Sequence, residues 1–72
     1  MDRLDEDIEG FGGLGLTFRS FGRLRYAGVE TIGQLVAMTE QDLLDVPRLG
    51  PRILADIKRA LAEEGLELNR EA

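Results

Sequence analysis

The side chains best suited to chemistry in this sequence are arginines, and the first group lies in one short stretch. Arg19, Arg23 and Arg25 occur close together, and no Asp or Glu occurs between Leu14 and Val29. The surface of a purely structural helix normally mixes charges of both signs, so this group could bind an anion. The alternative is a solvated helix face whose charges have no specific partner.

The second group lies in the string Val46-Pro-Arg-Leu-Gly-Pro-Arg-Ile. A tight turn followed by a Leu-Gly step predicts a helix-hairpin-helix element. The backbone N–H groups of such a turn, and of the helix it opens, form a site for an anion such as a DNA phosphate. Arg48 and Arg52 flank this site, and Gly50 lets the backbone approach a neighbour closely. The alternative is that Gly50 only permits a tight turn between helices and Pro51 begins the second one.

The composition excludes several classes of chemistry. The 72 residues include no Cys and no His, which excludes disulfide scaffolds, zinc fingers, thiol nucleophiles and His-based catalysis. Asp42 and Asp45 lie three residues apart, but such a pair on a helix is more typical of a solvated surface. A protein this small also has little room for a substrate pocket. We therefore expect a protein that is not an enzyme and that needs no cofactor or metal.

The net charge of −5 conceals an uneven distribution. Residues 1–13 carry five acids and one base, residues 14–59 carry seven bases and five acids, and residues 60–72 carry four acids and one base. An acidic protein is a poor candidate for strong non-specific binding of nucleic acid. A basic patch on the middle segment could still bind phosphate.

The apolar runs are too short for a membrane span. The longest is 35–38, whereas a spanning helix needs about 20 apolar residues. The first residues are acidic, where a secretory signal peptide is positively charged. These features predict a cytoplasmic protein without membrane contact.

The first predicted helix covers residues 18–27. Thr17 precedes it as an N-cap, and Gly28 follows it as a terminator. A different face from the apolar one carries Arg19, Arg23 and Tyr26. The apolar residues at helical spacing, which we expect to point inward, are Phe18, Phe21, Leu24 and Ala27.

Threonines begin two further short helices. Thr31 and Gln34 have the form of a capping box that opens a helix over 32–38. A third helix starts after Thr39 and ends near Asp45. The residues expected to face the core from these two helices are Ile32, Leu35, Val36, Leu43 and Leu44.

The fourth predicted helix covers residues 51–64 and ends at Gly65. Its core face consists of Ile53, Leu54, Ile57 and Leu61, after which Leu66 and Leu68 fold back. The sequence therefore predicts an all-α domain at residues 14–68. It is a compact bundle of four to five short helices between flexible acidic tails at 1–13 and 69–72.

Two longer strings of this sequence resemble the C-terminal domain of the bacterial RNA polymerase alpha subunit. One begins Leu14-Gly-Leu-Thr-Phe-Arg-Ser and continues to Val29-Glu-Thr-Ile-Gly-Gln-Leu-Val. The other is Thr39-Glu-Gln-Asp-Leu-Leu-Asp-Val-Pro-Arg-Leu-Gly-Pro-Arg-Ile-Leu-Ala-Asp-Ile-Lys. The similarity runs without gaps from Leu14 to about Leu66.

The resemblance implies a compact helical domain that binds A/T-rich DNA upstream of promoters in the minor groove. It also implies contacts with activators and sigma factor. The family's main DNA-contacting arginine matches Arg19, its hairpin glycine matches Gly50, and the basic residue two positions later matches Arg52. Its acid one turn further on matches Asp56, and that acid can orient a basic side chain rather than touch DNA.

Several positions depart from the family's pattern. Gly22 stands where an Asn is common and Ile53 where a Ser is frequent, so two hydrogen-bond donors to DNA are lost. Arg23 stands at a small or variable position and adds a cation. Gly13 and Gly15 replace acids that face sigma factor in the family.

The resulting hypothesis is a non-enzymatic DNA-binding module whose partners are A/T-rich DNA and RNA polymerase or transcription regulators. One alternative is a stand-alone protein-interaction domain of the same fold, with weak or no DNA binding. Another is a general helix-hairpin-helix domain of a repair or recombination protein. The predicted DNA-binding residues are Arg19, Gly22, Arg23, Arg48, Gly50, Arg52, Ile53 and Asp56.

Overall fold

The computed structural model describes residues 14–70. Four helices follow one another: α1 Phe18–Tyr26, α2 Ile32–Val36, α3 Glu40–Leu44 and α4 Gly50–Glu63. These elements confirm the predicted all-α fold, with four helices in the described range. Of the tails predicted at 1–13 and 69–72, residues 1–13 and 71–72 lie outside the described residues. Nowhere in 14–70 is a helix long and apolar enough to cross a membrane.

Threonine caps begin the three shorter helices, as the sequence predicts. The side chain of Thr17 accepts a hydrogen bond from the N–H of Ser20. Thr31 and Thr39 each take part in a capping box, in which the side chain three residues later bonds back to the threonine N–H. Such caps satisfy N–H groups that the first helical turn leaves unpaired, which sharpens the starts of these short helices.

The longest helix, α4, organises the core. Both α1 and α3 pack against it, and Ile57, Ala60 and Leu61 are almost completely buried along it. Their spacing places them on one side of the helix, so this side faces the bundle and the opposite side faces solvent. The other almost completely buried apolar residues are Leu24, Ile32, Leu35, Leu43 and Leu49.

The segment after α4 folds back over the bundle, as predicted. Gly65 has φ 73°, a left-handed conformation that ends the helix. Leu66 is half-buried and Leu68 is buried. The N–H of Asn69 donates to the carbonyl of Met38 at 3.0 Å. Asn69 was predicted to belong to the tail, but this bond connects it to the helical domain.

Three predicted core positions are wrong. Phe18 is 86% exposed and Leu44 is 42% exposed, and Ala27 is exposed as well. The buried side of α1 carries Ser20 and Leu24, which lie on the opposite side of the helix from Phe18. In the short helix α3 only one of the two adjacent leucines can point at α4, because neighbouring residues diverge by about 100° around a helix.

Candidate nucleic-acid interface

The turn before α4 holds an arginine in an unusual backbone conformation. The N–H of Leu49 donates to the carbonyl of Val46 at 3.1 Å and closes a turn with Pro47 and Arg48 at its centre. Arg48 has φ 66°, a left-handed value that normally belongs to Gly or Asn at this place in a turn. For an L-residue with a Cβ atom, this conformation costs about 1–2 kcal/mol.

The helix that follows this turn begins without a side-chain cap. Leu49 is its N-cap and makes no capping hydrogen bond, and Pro51 lies in the first turn. Gly50 has φ 68° and forms the sharp corner between the turn and the helix. The start of a helix carries partial positive charge and free N–H groups, which attract anions. Arg48 and Arg52 are exposed beside it, as the sequence predicts.

The solvent side of α1 forms a shallow hollow. Phe18, Arg19, Gly22, Arg23 and Tyr26 line a space of about 360 Å³. The prediction that Arg19, Arg23 and Tyr26 share one face of this helix is confirmed. The exposed position of Phe18 was not predicted, because its helical spacing with Phe21 and Leu24 indicated a place in the core.

A carboxylate connects the start of α1 to the middle of α4. Oδ2 of Asp56 accepts hydrogen bonds from the N–H and from the hydroxyl of Thr17, both at 3.1 Å. Thr17 is the N-cap of α1, so these bonds fix where that helix begins. Arg19 lies two residues after Thr17 on α1, and Arg52 lies one turn before Asp56 on α4.

Arg59 completes this connection. Its Nε and Nη2 atoms donate to Oδ1 of Asp56 at 3.1 and 2.7 Å, and Nη2 also reaches the carbonyl of Gly15 at 2.6 Å. Nη1 pairs with Glu63 at 2.8 Å. Asp56 thus pairs with a basic side chain, in agreement with the role that the resemblance implied. The i, i+3 and i, i+4 spacing of these three α4 residues could have revealed the network in the sequence.

The network keeps Asp56 ionised. Its partial burial acts to raise the pKa, but hydrogen bonds from the side chains of Ser20 and Arg59, and from the N–H and hydroxyl of Thr17, lower the pKa to about 2. At neutral pH the group is a carboxylate that accepts from both helices.

The basic side chains of residues 14–70 fall into paired and unpaired sets. Lys58, Arg59 and Arg70 form ion pairs with nearby acids. Arg25 lies over the ring of Phe21, 5.7 Å from its centre. The four basic side chains with no hydrogen bond, ion pair or ring contact in this range are Arg19, Arg23, Arg48 and Arg52. All four were predicted from the sequence as site residues.

Two other predicted site residues contribute no exposed polar group. Ile53 is only 9% exposed and belongs to the core, which confirms its place on the predicted core face of α4 and leaves it little surface to offer DNA. The reason is its position four residues before Ile57, which puts both on the apolar side of α4. Gly22 is exposed, and a Cβ atom there would meet nothing within 4 Å.

The fold and this surface define a small all-α domain in which α1 and the start of α4 present four arginines that have no partner within residues 14–70. Residues 2–63 match the family described as the C-terminal domain of the bacterial RNA polymerase alpha subunit. The protein belongs to this family, as the resemblance indicated. The family is a non-catalytic domain that in general binds DNA and contacts transcription factors.

Several relatives carry the name DNA-directed RNA polymerase subunit alpha. The one from Acidothermus cellulolyticus is 46% identical over 55 residues, covering 76% of this chain and 16% of the relative. That of a Nocardioides species is 41% identical over 59 residues, covering 82% and 18%. That of Bifidobacterium adolescentis is 47% identical over 55 residues, covering 76% and 17%. The chain thus spans less than a fifth of the length of these relatives.

Proposed function

We propose that this domain binds A/T-rich DNA upstream of bacterial promoters, in the minor groove, and works in the cytoplasm together with RNA polymerase. The observation that carries the proposal is the division of the basic side chains. Every other basic group of residues 14–70 has an acid or a ring as its partner, whereas Arg19, Arg23, Arg48 and Arg52 do not. An unpaired guanidinium group is available to a phosphate without first breaking an ion pair.

The two parts of the surface have different tasks in this proposal. Arg19 and Arg23 on α1 approach the minor groove, which is narrow and strongly negative in A/T-rich DNA. Arg48, Arg52 and the N–H groups beside Gly50 hold phosphates at the groove edge. In this role α3, the turn and α4 act together as a helix-hairpin-helix element. The preference for A/T-rich DNA then comes more from the shape of the minor groove than from contacts with the base edges.

The bonds between Thr17 and Asp56 supply the rigidity that this arrangement needs. They join the start of α1 to α4 at 3.1 Å, so the arginines of both helices hold one relative position. Asp56 serves as a positioning residue and does not contact DNA itself. A surface assembled in advance loses less conformational entropy when it binds.

Four cationic contacts predict weak and strongly salt-dependent binding. If each of the four arginines neutralises one phosphate, the logarithm of the binding constant falls with the logarithm of salt with a slope of about −3 to −4. Such a domain gains from being tethered, because a tether raises its effective concentration at the promoter.

A protein-interaction role with weak DNA binding is the second candidate function. It is favoured by Gly22 and Ile53, which offer DNA no polar side chain where the family commonly has one. Transcription regulators or RNA polymerase itself would then be the main partners. The two functions predict opposite outcomes in a binding experiment with DNA alone.

Arg19→Ala and Arg25→Ala form a matched pair for that experiment. Both remove one arginine from α1, but only Arg25 has a ring contact. Fluorescence anisotropy with a labelled A/T-rich duplex should show about tenfold weaker binding for Arg19→Ala, a loss of about 1.4 kcal/mol. Arg25→Ala should bind within about twofold of the unmodified domain. Equal losses in the two variants would contradict the assignment of Arg19, and no binding by the unmodified domain at low salt would favour the second function.

A further inference from the structure

Two aromatic side chains of α1 contribute little to the core. Phe18 is 86% exposed and Tyr26 is 71% exposed, whereas Phe21 on the same helix is partly buried and packs against the core. Removing apolar surface from water stabilises by about 25 cal/mol per Å². Two large rings left in water on one side of a short helix therefore indicate a surface that is covered on binding.

Gly22 creates a gap between these rings. Phe18, Gly22 and Tyr26 follow one another at intervals of four residues, so they lie along one side of α1 with the two ends about 12 Å apart. Apart from its chain neighbours and the backbone of α1 itself, nothing in the described residues lies within 4 Å of the place where a Cβ of Gly22 would stand. The hollow is therefore open between the two rings, and its floor is the helix backbone.

The hollow also contains two unpaired charges. Arg19 and Arg23 line it together with the rings, and neither forms an ion pair within residues 14–70. The occupant that fits must carry negative charge directly beside an apolar surface. A DNA strand meets this requirement, because the carbon faces of its deoxyribose rings alternate with phosphates.

An acidic peptide with an apolar side chain has similar chemistry, but continuity with the proposed interface favours DNA. Arg19 lies two residues from Thr17, and Thr17 is bonded to Asp56 on the helix that carries Arg52. These bonds hold the hollow and the start of α4 in one fixed arrangement, which carries all four arginines that have no partner within residues 14–70. A DNA strand whose phosphates contact the arginines at the start of α4 therefore also reaches the arginines of α1.

We propose that the hollow on α1 is a seat for the sugar–phosphate backbone of one DNA strand. Phe18 and Tyr26 pack against deoxyribose carbons on either side of the gap over Gly22, and Arg19 and Arg23 contact the phosphates. This inference rests on the proposed DNA binding and adds an apolar, salt-independent part to it. Apolar side chains are common at minor-groove interfaces, where other proteins insert them between base steps.

The salt dependence of binding distinguishes apolar from ionic contacts. Phe18→Ala and Tyr26→Ala should each weaken binding of an A/T-rich duplex about fivefold, while the slope against salt stays unchanged. Arg23→Ala should instead reduce the slope by about one. Leu44→Ala is the matched control, because it removes another exposed apolar side chain, 42% exposed, from a different helix. It should bind DNA like the unmodified domain.

A second variant fills the gap instead of removing its walls. Gly22→Leu leaves the charge unchanged and should weaken DNA binding at least as much as Phe18→Ala, while thermal unfolding shows an intact fold. Wild-type affinity in Phe18→Ala, Tyr26→Ala and Gly22→Leu would overturn this inference and leave the proposed function standing. An altered slope in the two aromatic variants, or a loss confined to binding of a protein regulator, would overturn it as well. Absence of duplex binding by the unmodified domain would instead overturn the proposed function and this inference with it.

Discussion

Arg48 combines a backbone cost with a role at the proposed interface. Its φ of 66° suits glycine, so Arg48→Gly should stabilise the domain by about 1 kcal/mol, after the greater flexibility of glycine in the unfolded state is allowed for. The same variant lacks one unpaired guanidinium group and should bind DNA more weakly. Thermal unfolding and anisotropy titrations on one sample measure both effects. Lower stability together with unchanged DNA affinity would contradict both roles.

Asp56 is expected to make stability depend on pH in the acid range. Its pKa in the folded domain is about 2, lowered from 3.8, so its contribution is complete above about pH 4 and is lost as the pH falls through 2. Asp56→Asn should therefore unfold more easily at neutral pH, by an amount on the order of 2 kcal/mol. The difference between the two proteins should shrink steadily between pH 4 and pH 2. Urea unfolding at several pH values measures it, and a difference that does not change with pH would contradict the role of the charge.

At the scale of the helix, two glycines of the proposed interface should respond in opposite ways to the same substitution. Gly22 lies inside α1 with free space around it, so Gly22→Ala should stabilise the domain by about 0.5–1 kcal/mol. Gly50 has φ 68°, and Gly50→Ala should destabilise it by about 1–2 kcal/mol, because alanine disfavours that conformation. Thermal unfolding of the pair tests this contrast. Tm shifts of the same sign and size in both variants would contradict the difference in backbone conformation between Gly22 and Gly50.

The helix starts could be predicted from the sequence because their causes are local. Thr17, Thr31 and Thr39 each cap a helix through a group three residues away, and such a pattern is visible in a short string of residues. The core face of α4 was equally visible, since a helix of fourteen residues contains several repeats of its apolar spacing. Short helices contain too few repeats for this, which is why both leucines at the end of α3 were placed in the core.

The buried face of α1 could not be predicted, because its cause is a contact between distant residues. Ser20 is 1% exposed, and its side chain hydrogen-bonds to Asp56 on α4. The hydroxyl of Ser20 also accepts a hydrogen bond from the hydroxyl of Thr17 at 3.0 Å, and these partners together make a buried serine favourable. Because Ser20 and Leu24 point inward, Phe18 lies on the solvent side of α1 although its side chain is hydrophobic.

Arg19 and Arg23 were predicted because no acid occurs between Leu14 and Val29. Arg48 and Arg52 were predicted because they flank the Leu-Gly step. The bonds between Thr17 and Asp56 could not be predicted in this way, because the two partners lie 39 residues apart.

At the scale of the whole molecule, the net charge of −5 opposes the proposed DNA binding. Five acids at Asp2, Asp5, Glu6, Asp7 and Glu9 account for much of this charge, and none of them is among the predicted DNA-binding residues. Replacing them by the corresponding amides should strengthen DNA binding at low salt. The effect should fade near physiological salt, where the screening length is about 8 Å. Titrations at two salt concentrations measure it, and weaker binding by the amide variant would show that these acids assist the complex.

The most direct test of the central claim follows backbone amide NMR shifts of the protein during titration with an A/T-rich and a G/C-rich duplex, at low and moderate salt. We expect shifts at Arg19, Gly22, Gly50 and Arg52 that are larger for the A/T-rich duplex and that diminish with salt. This result would show that the arginines of α1 and those at the start of α4 belong to one DNA-binding surface. No shifts even at low salt, or shifts confined to residues outside α1 and the turn before α4, would contradict that surface.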